Sequence, residues 1–274
     1  MTSPTARFVT RTSLAADLAA LGLASGDAVM VHAAVSKVGR LLDGPDTIIA
    51  ALRDAVGPGG TVLAYADWEA RYEDLVDEDG RVPAEWREHI PPFDPQHSRA
   101  IRDNGVLPEF LRTTPDALRS GNPGASVVAL GAKAEWFTAD HPLDYGYGED
   151  SPLAKLVEAN GKVVMLGAPL DTLTLLHHAE HLADIPGKRI RRIEAPLATP
   201  TGTRWCMIEE FDTGDPIVEG LDEDYFAGIV AEFLASGQGR QGLVGTAPSV
   251  LVEARAITAF GVNWLESRFG SPSR

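Results

Sequence analysis

The sequence contains a single cysteine, Cys206, and none of its apolar runs is long. One cysteine excludes an internal disulfide and any metal site made of several thiolates. The apolar runs fall short of the roughly 20 residues that a membrane-spanning helix needs. Residues 1–11 also lack the apolar segment of a secretory signal. We therefore expect a soluble, cytoplasmic protein with no membrane partner.

Positive charge is scarce as well. The 24 Lys and Arg residues are outnumbered by 39 Asp and Glu residues, which gives a formal net charge of −15 at pH 7. Such a field repels nucleic acid and attracts cations. We therefore expect no nucleic-acid partner and a preference for cationic ligands. Hydrophobic residues make up 44% of the 274-residue chain, which is enough for a large core.

Segments that predict strands alternate with segments that predict helices. Apolar runs at residues 27–32, 61–65 and 163–166 predict buried strands, and residues 46–56 have helical apolar spacing. This alternation is typical of an α/β sheet. A first helix over residues 14–21 is expected to be capped by Thr12 or Ser13.

Two segments depart from the alternation. Residues 67–95 are irregular and rich in carboxylates, which is typical of a functional loop. Residues 189–197 and 203–211 predict a β-hairpin that turns at Thr201-Gly202.

The most informative stretch is the predicted strand 163–166 together with residues 167–181. Asp171 or Thr172 is expected to cap a helix that carries His177, Glu180 and His181. Side chains three or four positions apart share one face of a helix. The spacing fits an imidazole base oriented by a carboxylate, a zinc site of the H-x-x-E-H type, or a solvated polar helix, and it does not decide among them.

Phosphate-binding residues are a further possibility. Ser36 and Lys37 come after the first predicted strand, where exposed backbone N–H groups can hold a phosphate. Arg119 lies in a Gly/Asn/Pro loop and can serve as a second phosphate ligand. Neither segment has the spacing of a Walker A loop or of a dinucleotide-binding motif.

Five motifs in order resemble one known family. They are HAAVSKVG at residues 32–39, GPGGT at 57–61, RSGNP at 119–123, SPL at 151–153 and TLLHHAE at 174–180. Together they resemble the aminoglycoside 3-N-acetyltransferases, an antibiotic N-acetyltransferase family distinct from the GNAT fold. Leu173 and Leu175 depart from the family pattern, in which Asn and Ser or Thr are common at these positions.

The resemblance implies a fold and a reaction. The fold is an α/β domain with a layered mixed sheet flanked by helices, spanning residues 1–274 with a substrate-loop insertion at about 67–95. Acetyl-CoA is the implied co-substrate, no metal is implied, and the acceptor is the 3-amino group of the deoxystreptamine ring of an aminoglycoside.

The resemblance also implies two sets of site residues. The catalytic residues are His177, Glu180 and Thr174. The cofactor-binding residues are His32, Ala33, Val35, Ser36, Lys37, Val38 and Arg119. A polycationic acceptor further needs carboxylates to hold it, and the substrate-binding residues that we predict are Tyr65, Asp67, Glu69, Asp94, Asn104 and Glu210.

The chemistry of the reaction agrees with these sets. A protonated amine must lose a proton before it attacks a thioester, so a base is needed. We expect His177 to be this base, oriented by Glu180, Glu209 or Glu210, with Thr174 or backbone N–H groups at the oxyanion.

Three alternatives stay open from the sequence. A zinc hydrolase would use His177, Glu180 and His181. A second alternative is an acetyltransferase of another amine, because family membership does not fix the acceptor. The third is a binder of polyamines or aminoglycosides without catalysis. The sequence is compatible with a homodimer but does not establish one.

Overall fold

The computed structural model describes residues 8–213 and 216–270, and its centre is a mixed β-sheet. The strands are β1 (Ala28–Ala33), β2 (Thr61–Tyr65), β3 (Leu118–Arg119), β4 (Val127–Gly131), β5 (Lys162–Leu166), β6 (Ile190–Thr199), β7 (Gly202–Phe211), β8 (Arg240–Val244) and β9 (Ala247–Glu253). Seven of them form one sheet in the order β3-β4-β2-β1-β5-β9-β8, and β6 and β7 form the separate hairpin that the sequence predicted.

Helices cover both faces of this sheet. They are α1 (Arg11–Leu21), α2 (Val35–Val38), α3 (Gly44–Val56), α4 (Leu107–Thr113), α5 (Ala134–Thr138), α6 (Pro152–Glu158), α7 (Leu176–Leu182), α8 (Tyr225–Ala235) and α9 (Ala254–Phe269). Short 3-10 helices lie at Arg71–Leu75, Ala84–His89, Arg102–Asn104 and Leu170–Thr172. Within the described residues, no helix has the length and apolar character to cross a membrane.

The centre of the sheet is parallel and its flanks are antiparallel. β1 runs parallel to β2 and to β5, whereas β4 and β9 run antiparallel to their neighbours. The carboxyl ends of β1, β2 and β5 therefore lie at the same edge of the sheet. Ligands of α/β proteins usually bind at such an edge.

Alternating side chains of the strands fill two apolar layers. Val29, Val31 and Val62 pack with helices α1, α3 and α4 on one face, whereas Met30 and Leu63 pack with helices α5 to α9 on the other. Since successive residues of a strand point to opposite faces, His32 and Tyr65 share with Met30 and Leu63 the face covered by α7.

The hairpin and the irregular segment 67–95 form a third, smaller apolar cluster. Trp68, Tyr72 and Phe93 from the segment pack on Leu197 of β6 and Trp205 of β7. The backbone N–H of Phe93 also donates to the carbonyl of Pro196 at 2.7 Å. Residues 67–95 are thus fixed on the hairpin through aromatic packing.

Two predicted helix starts are wrong. Helix α1 begins earlier than predicted, because Thr10 and Ser13 form a reciprocal capping box that sets its N-cap at Thr10. Helix α7 begins at Leu176 without a side-chain cap, since Asp171 and Thr172 belong to a separate 3-10 turn. The prediction about a secretory signal concerns residues 1–11, of which 1–7 lie outside the described residues.

Candidate active site

The turn after β5 brings helix α7 to the edge where β1 and β2 end. Gly167 has a φ of +63°, a conformation that favours glycine, and its N–H donates to the carbonyl of Pro248 at 3.0 Å. The chain then turns through the 3-10 helix Leu170–Thr172 and enters α7. The imidazole of His177 therefore lies over the strand ends.

His177 and Glu180 form a hydrogen-bonded pair on α7. Nδ1 of His177 lies 2.6 Å from Oε2 of Glu180, as the i,i+3 spacing predicted. Glu180 is 2% exposed, and its other oxygen accepts the hydroxyl of Tyr225 from α8. Because a carboxylate only accepts hydrogen bonds, the Nδ1 of His177 carries the proton and Nε2 is left to accept one. Glu180, and neither Glu209 nor Glu210, thus orients the imidazole.

Two aromatic rings fix the plane of the His177 imidazole. The ring of Tyr147 lies 4.8 Å from it between centroids, at an interplanar angle of 32°. The ring of Phe226 lies 4.9 Å away on α8. The imidazole can therefore rotate little about its Cβ–Cγ bond.

A first cavity of about 350 Å³ opens between His177 and the end of β1. Its lining includes His32, Ala33, Asn104 and Thr174. Nε2 of His32 is buried and has no hydrogen-bond partner among the described residues. Burial lowers the pKa of His32 to about 4, so this imidazole is neutral at pH 7.

The structure does not support two of the predicted cofactor-binding side chains. Arg119 is 9% exposed, and its guanidinium donates to Ser126 Oγ, the carbonyl of Ser98 and the carbonyl of Ala66. Its N–H groups thus hold the loop around β3, away from the first cavity. Val38 is fully buried in the core, where its side chain cannot reach a ligand.

The remaining predicted cofactor residues lie on α2, just beyond the cavity wall. Val35 is half-buried, and Ser36 and Lys37 are exposed. The Nζ of Lys37 donates to the carbonyl of Gly167 at 2.9 Å, which places its charge beside the turn after β5. These positions suit the outer end of a ligand that enters the first cavity.

A second cavity, of about 240 Å³, lies between segment 67–73 and the hairpin. Tyr65, Asp67 and Glu210 line it, as predicted for the substrate, and so do Glu73 and Tyr147. Burial raises the pKa of Asp67 to about 7, although a hydrogen bond from Asn104 opposes this rise. Burial likewise raises the pKa of Glu210 to about 7. The cavity therefore presents carboxyl groups that a bound cation would ionise.

Three predicted substrate residues do not line the second cavity: Asn104, which lines the first cavity, Asp94 and Glu69. Asp94 accepts from the N–H of Gln96 and from His97, and these contacts stabilise a local turn. Glu69 pairs with Arg71 and accepts from the backbone N–H of Arg102. Neither carboxylate lines the second cavity, because each is used for the internal structure of its own segment.

Tyr65 lines both cavities and marks their junction. Its hydroxyl lies 2.7 Å from the hydroxyl of Tyr147 and 2.9 Å from the carbonyl of Gly124. A group bound in one cavity would meet a group bound in the other beside this hydroxyl pair and the His177 imidazole.

The sequence did not identify several residues of this site. Tyr147, Phe226, Tyr225, Glu73 and Arg191 come from separate elements, and none stands in a motif of its own. The glycines on either side of Tyr147 could have indicated a closely packed segment there. Gly146 and Gly148 allow the backbone to approach the side chains of Asn122 and His181 closely.

The second histidine of the H-x-x-E-H pattern faces a different environment. His181 packs against Tyr145 and Phe211, with ring centroids 5.8 Å and 5.5 Å away. Across residues 8–213 and 216–270, no group of three His, Cys, Asp or Glu side chains is placed to hold a metal ion.

The His177–Glu180 pair thus lies beside the first cavity, and the acidic second cavity adjoins it at Tyr65. The chain belongs to the aminoglycoside 3-N-acetyltransferase family, whose model matches residues 30–266. Aminoglycoside N(3)-acetyltransferase III of Pseudomonas aeruginosa is 49% identical over 253 residues, covering 92% of this chain and 91% of that protein. Aminoglycoside N(3)-acetyltransferase VIII of Streptomyces fradiae is 46% identical and covers 96% of this chain and 93% of its own.

Solved structures agree with this assignment. The structure of AAC-IIIb in a binary complex with CoASH is 88% identical, covers 98% of this chain and 100% of its own, and gives a TM-score of 0.97. AAC-VIa bound to sisomicin is 37% identical, covers 97% and 100%, and gives a TM-score of 0.91. The predicted family, the α/β fold class and the enzyme class are confirmed, and the zinc-hydrolase alternative is not supported.

Proposed function

We propose that this chain transfers the acetyl group of acetyl-CoA to the 3-amino group of an aminoglycoside, with His177 as the general base. The observation that carries the proposal is the His177–Glu180 pair, which faces the first cavity while the adjoining second cavity is acidic. The chemistry of a polycationic acceptor fits the acidic cavity. The CoASH complex of AAC-IIIb supports acetyl-CoA as the co-substrate, and we assign it to the first cavity because His32, Ala33 and Thr174 line that cavity.

In this mechanism His177 Nε2 takes a proton from the ammonium of the drug, and Glu180 stabilises the imidazolium that results. The neutral nitrogen attacks the thioester carbonyl carbon, so that a C–N bond forms and the C–S bond breaks. The thiolate leaves and takes the proton from His177, and the attacking nitrogen releases its second proton to solvent, which leaves a neutral amide and a free thiol. Tyr147 and Phe226 hold the imidazole in plane throughout.

Thr174 is proposed as the oxyanion donor. Its hydroxyl lines the first cavity, and its hydrogen bond to the carbonyl of Thr172 is long, at 3.5 Å. A hydroxyl held this weakly can turn toward a developing negative charge. His32 and Ala33 would contact the thiol end of the co-substrate, and Ser36 and Lys37 would lie toward its phosphates.

The acceptor would occupy the second cavity. Asp67 and Glu210 would each accept from an ammonium group of the drug, with Tyr65 at the reactive end. Only the first part of the proposed substrate loop, residues 67–73, lines this cavity. The later part supports it through the aromatic packing of Phe93 on the hairpin. We further propose that residues 1–274 form a single domain.

The setting of the reaction is part of the same proposal. Acetyl-CoA is a metabolite of the cytoplasm, which supports a cytoplasmic enzyme. The net charge of −15 supports a protein that has no nucleic-acid or anionic-membrane partner. A homodimer is tested by measuring the mass in solution by light scattering.

His177→Ala tests the base. We expect turnover, measured as thiol release from acetyl-CoA with an aminoglycoside, to fall on the order of a hundredfold or more. Acetyl-CoA should still bind, as measured by calorimetry. The matched control is His181→Ala, one turn later on the same helix, which should keep most of the activity. Near-parental turnover in His177→Ala would refute the assignment.

A further inference from the structure

The acidic second cavity contains a positive charge of its own. Of the described residues that line it, Arg191 is the one cation, and the acidic side chains around it are Asp67, Glu73, Glu210 and Asp212. A guanidinium is unexpected in a cavity that must accept a polycation, because like charges repel when they share a partly dehydrated space.

Arg191 is fixed at one end of the cavity. It lies on β6 directly opposite Glu210 of β7 in the register of the hairpin. Its Nη2 lies 3.1 Å from Oε2 of Glu73, and the two side chains are 46% and 34% exposed. Its charge also opposes the burial-driven rise in the pKa of the neighbouring Tyr72 hydroxyl. Glu73 therefore already has a cationic partner within the protein.

We propose that Arg191 is a specificity-determining residue that makes the Glu73 end of the cavity favour a hydroxyl over an ammonium group. This inference rests on the proposed aminoglycoside site in the second cavity. An ammonium placed at this end must displace the guanidinium or remain beside it, and either course weakens binding. A hydroxyl is neutral, so it can accept from the guanidinium or donate to Glu73 without such repulsion.

The neighbouring Arg192 offers a matched control. It occupies the next position of β6, so its side chain points to the opposite face of the hairpin. Its guanidinium pairs with Glu209 at 2.6 Å, and Glu209 does not line the second cavity. Substituting either arginine by Gln changes the net charge equally, and only Arg191→Gln removes a cation from the cavity.

The test uses pairs of aminoglycosides that are identical except at one carbon, which carries an amine in one member and a hydroxyl in the other. Each pair differs at a different carbon of the drug, so that together the pairs sample the positions around it. For the pair whose varied group reaches Glu73, we expect Arg191→Gln to lower the KM of the amine member about fivefold, or about 1 kcal/mol. The KM of the hydroxyl member should stay within about twofold, and Arg192→Gln should not separate the two members.

A double-mutant cycle identifies the partner. Because Arg191 also pairs with Glu73, in the Glu73→Gln background Arg191→Gln should favour the amine member by a smaller factor, since only the relief of charge repulsion remains. The inference is overturned if no pair responds, if Arg191→Gln raises the KM of both members, or if its effect on the amine member is undiminished without Glu73. Failure of the proposed function itself would look different, since the parent enzyme would then release no thiol with any aminoglycoside.

Discussion

If the drug occupies the second cavity as proposed, we expect two of its residues, Asp67 and Glu210, to link drug binding to pH. Burial raises the pKa of each carboxyl to about 7, so each is partly protonated at neutral pH. A bound ammonium group favours the carboxylate and so lowers both pKa values, which releases protons. Below pH 7 the carboxyls must first lose protons, and we expect affinity for an aminoglycoside to fall as the pH decreases from 7 to 6.

Calorimetry measures this linkage directly. The apparent binding enthalpy at pH 7 should depend on the ionisation enthalpy of the buffer, with a net proton exchange that differs between the parent and Asp67→Asn. The control is Asp94→Asn, whose carboxylate lies outside the cavity and whose pKa is lowered by a hydrogen bond from His97. Equal proton exchange in the parent and in Asp67→Asn would show that Asp67 does not meet the drug's charge.

Some of these residues could be predicted from the sequence, and some could not. The His177–Glu180 pair results from helical spacing, because the i,i+3 relation is local. The guanidinium of Arg119, which the sequence predicts to bind phosphate, donates to backbone carbonyls that are distant in sequence. Its actual partners, Ser98 and Ala66, are brought to it only by the tertiary fold.

At the scale of elements, the site depends on how α8 supports α7. Tyr225 is the first residue of α8, and its hydroxyl donates to the buried carboxylate of Glu180. Burial raises the pKa of this hydroxyl, so it stays protonated and remains a donor. The contact keeps Glu180 turned toward His177 although the two helices are separated by more than 40 residues of chain.

Tyr225→Phe tests this support. A hydrogen bond to a charged group is worth roughly 1.5–3 kcal/mol, so we expect kcat to fall about tenfold or more. The KM values of both substrates should change little, because Tyr225 lines neither cavity. Tyr72→Phe removes a hydroxyl from the second cavity without touching the Glu180 contact and should leave kcat near the parental value. A loss confined to KM would mean that Tyr225 acts on the substrate.

The order of helices and strands could largely be predicted, and the way they meet could not. Strand and helix positions can be read from apolar periodicity, and the hairpin from its turn residues. The predicted start of α1 is wrong because its cap is a reciprocal pair, Thr10 and Ser13, of which the prediction includes only the second. The packing of segment 67–95 on the hairpin depends on contacts between residues about 100 positions apart, which periodicity does not report.

At the scale of the whole molecule, buried ionisable groups oppose one another in their effect on stability. Burial lowers the pKa of His32 and of His141 to about 4, and it also lowers the pKa values of His178 and His181. Since the unfolded chain binds these protons more readily, the imidazoles make the folded state less stable as the pH falls below about 6.5. The raised pKa values of Asp67 and Glu210 act in the opposite direction between about pH 7 and 4.

The sign of each contribution is set by proton counting. Between about pH 6.5 and 4 the unfolded state holds a proton on His141 that the folded state lacks, so this group lowers stability as acid is added. Over a similar range the folded state holds a proton on Asp67 that the unfolded state lacks, so this group raises the stability of the folded state as acid is added. Each can change the free energy of unfolding by up to about 1.4 kcal/mol per pH unit.

Substitutions at the two sites should therefore change the pH dependence of stability in opposite directions. His141 accepts from the hydroxyl of Ser120 at 2.8 Å and contacts the carbonyl of Gly146 at 2.7 Å, both as a neutral imidazole. We expect His141→Gln to lower stability at pH 7.5 but to make the loss on acidification shallower. We expect Asp67→Asn to make that loss steeper.

Urea unfolding at pH 7.5 and at pH 5.5 measures how steeply the free energy of unfolding changes with pH in each variant. His97→Gln is the control, because the His97 side chain is 78% exposed and should leave the slope unchanged. His32→Gln tests a second buried histidine in the same way. The comparison can therefore still be made if His141→Gln does not fold. Slopes that move in the same direction for the imidazole and carboxyl variants would contradict the assignment, because burial keeps the histidine neutral and the carboxyl protonated, and these two states have opposite signs.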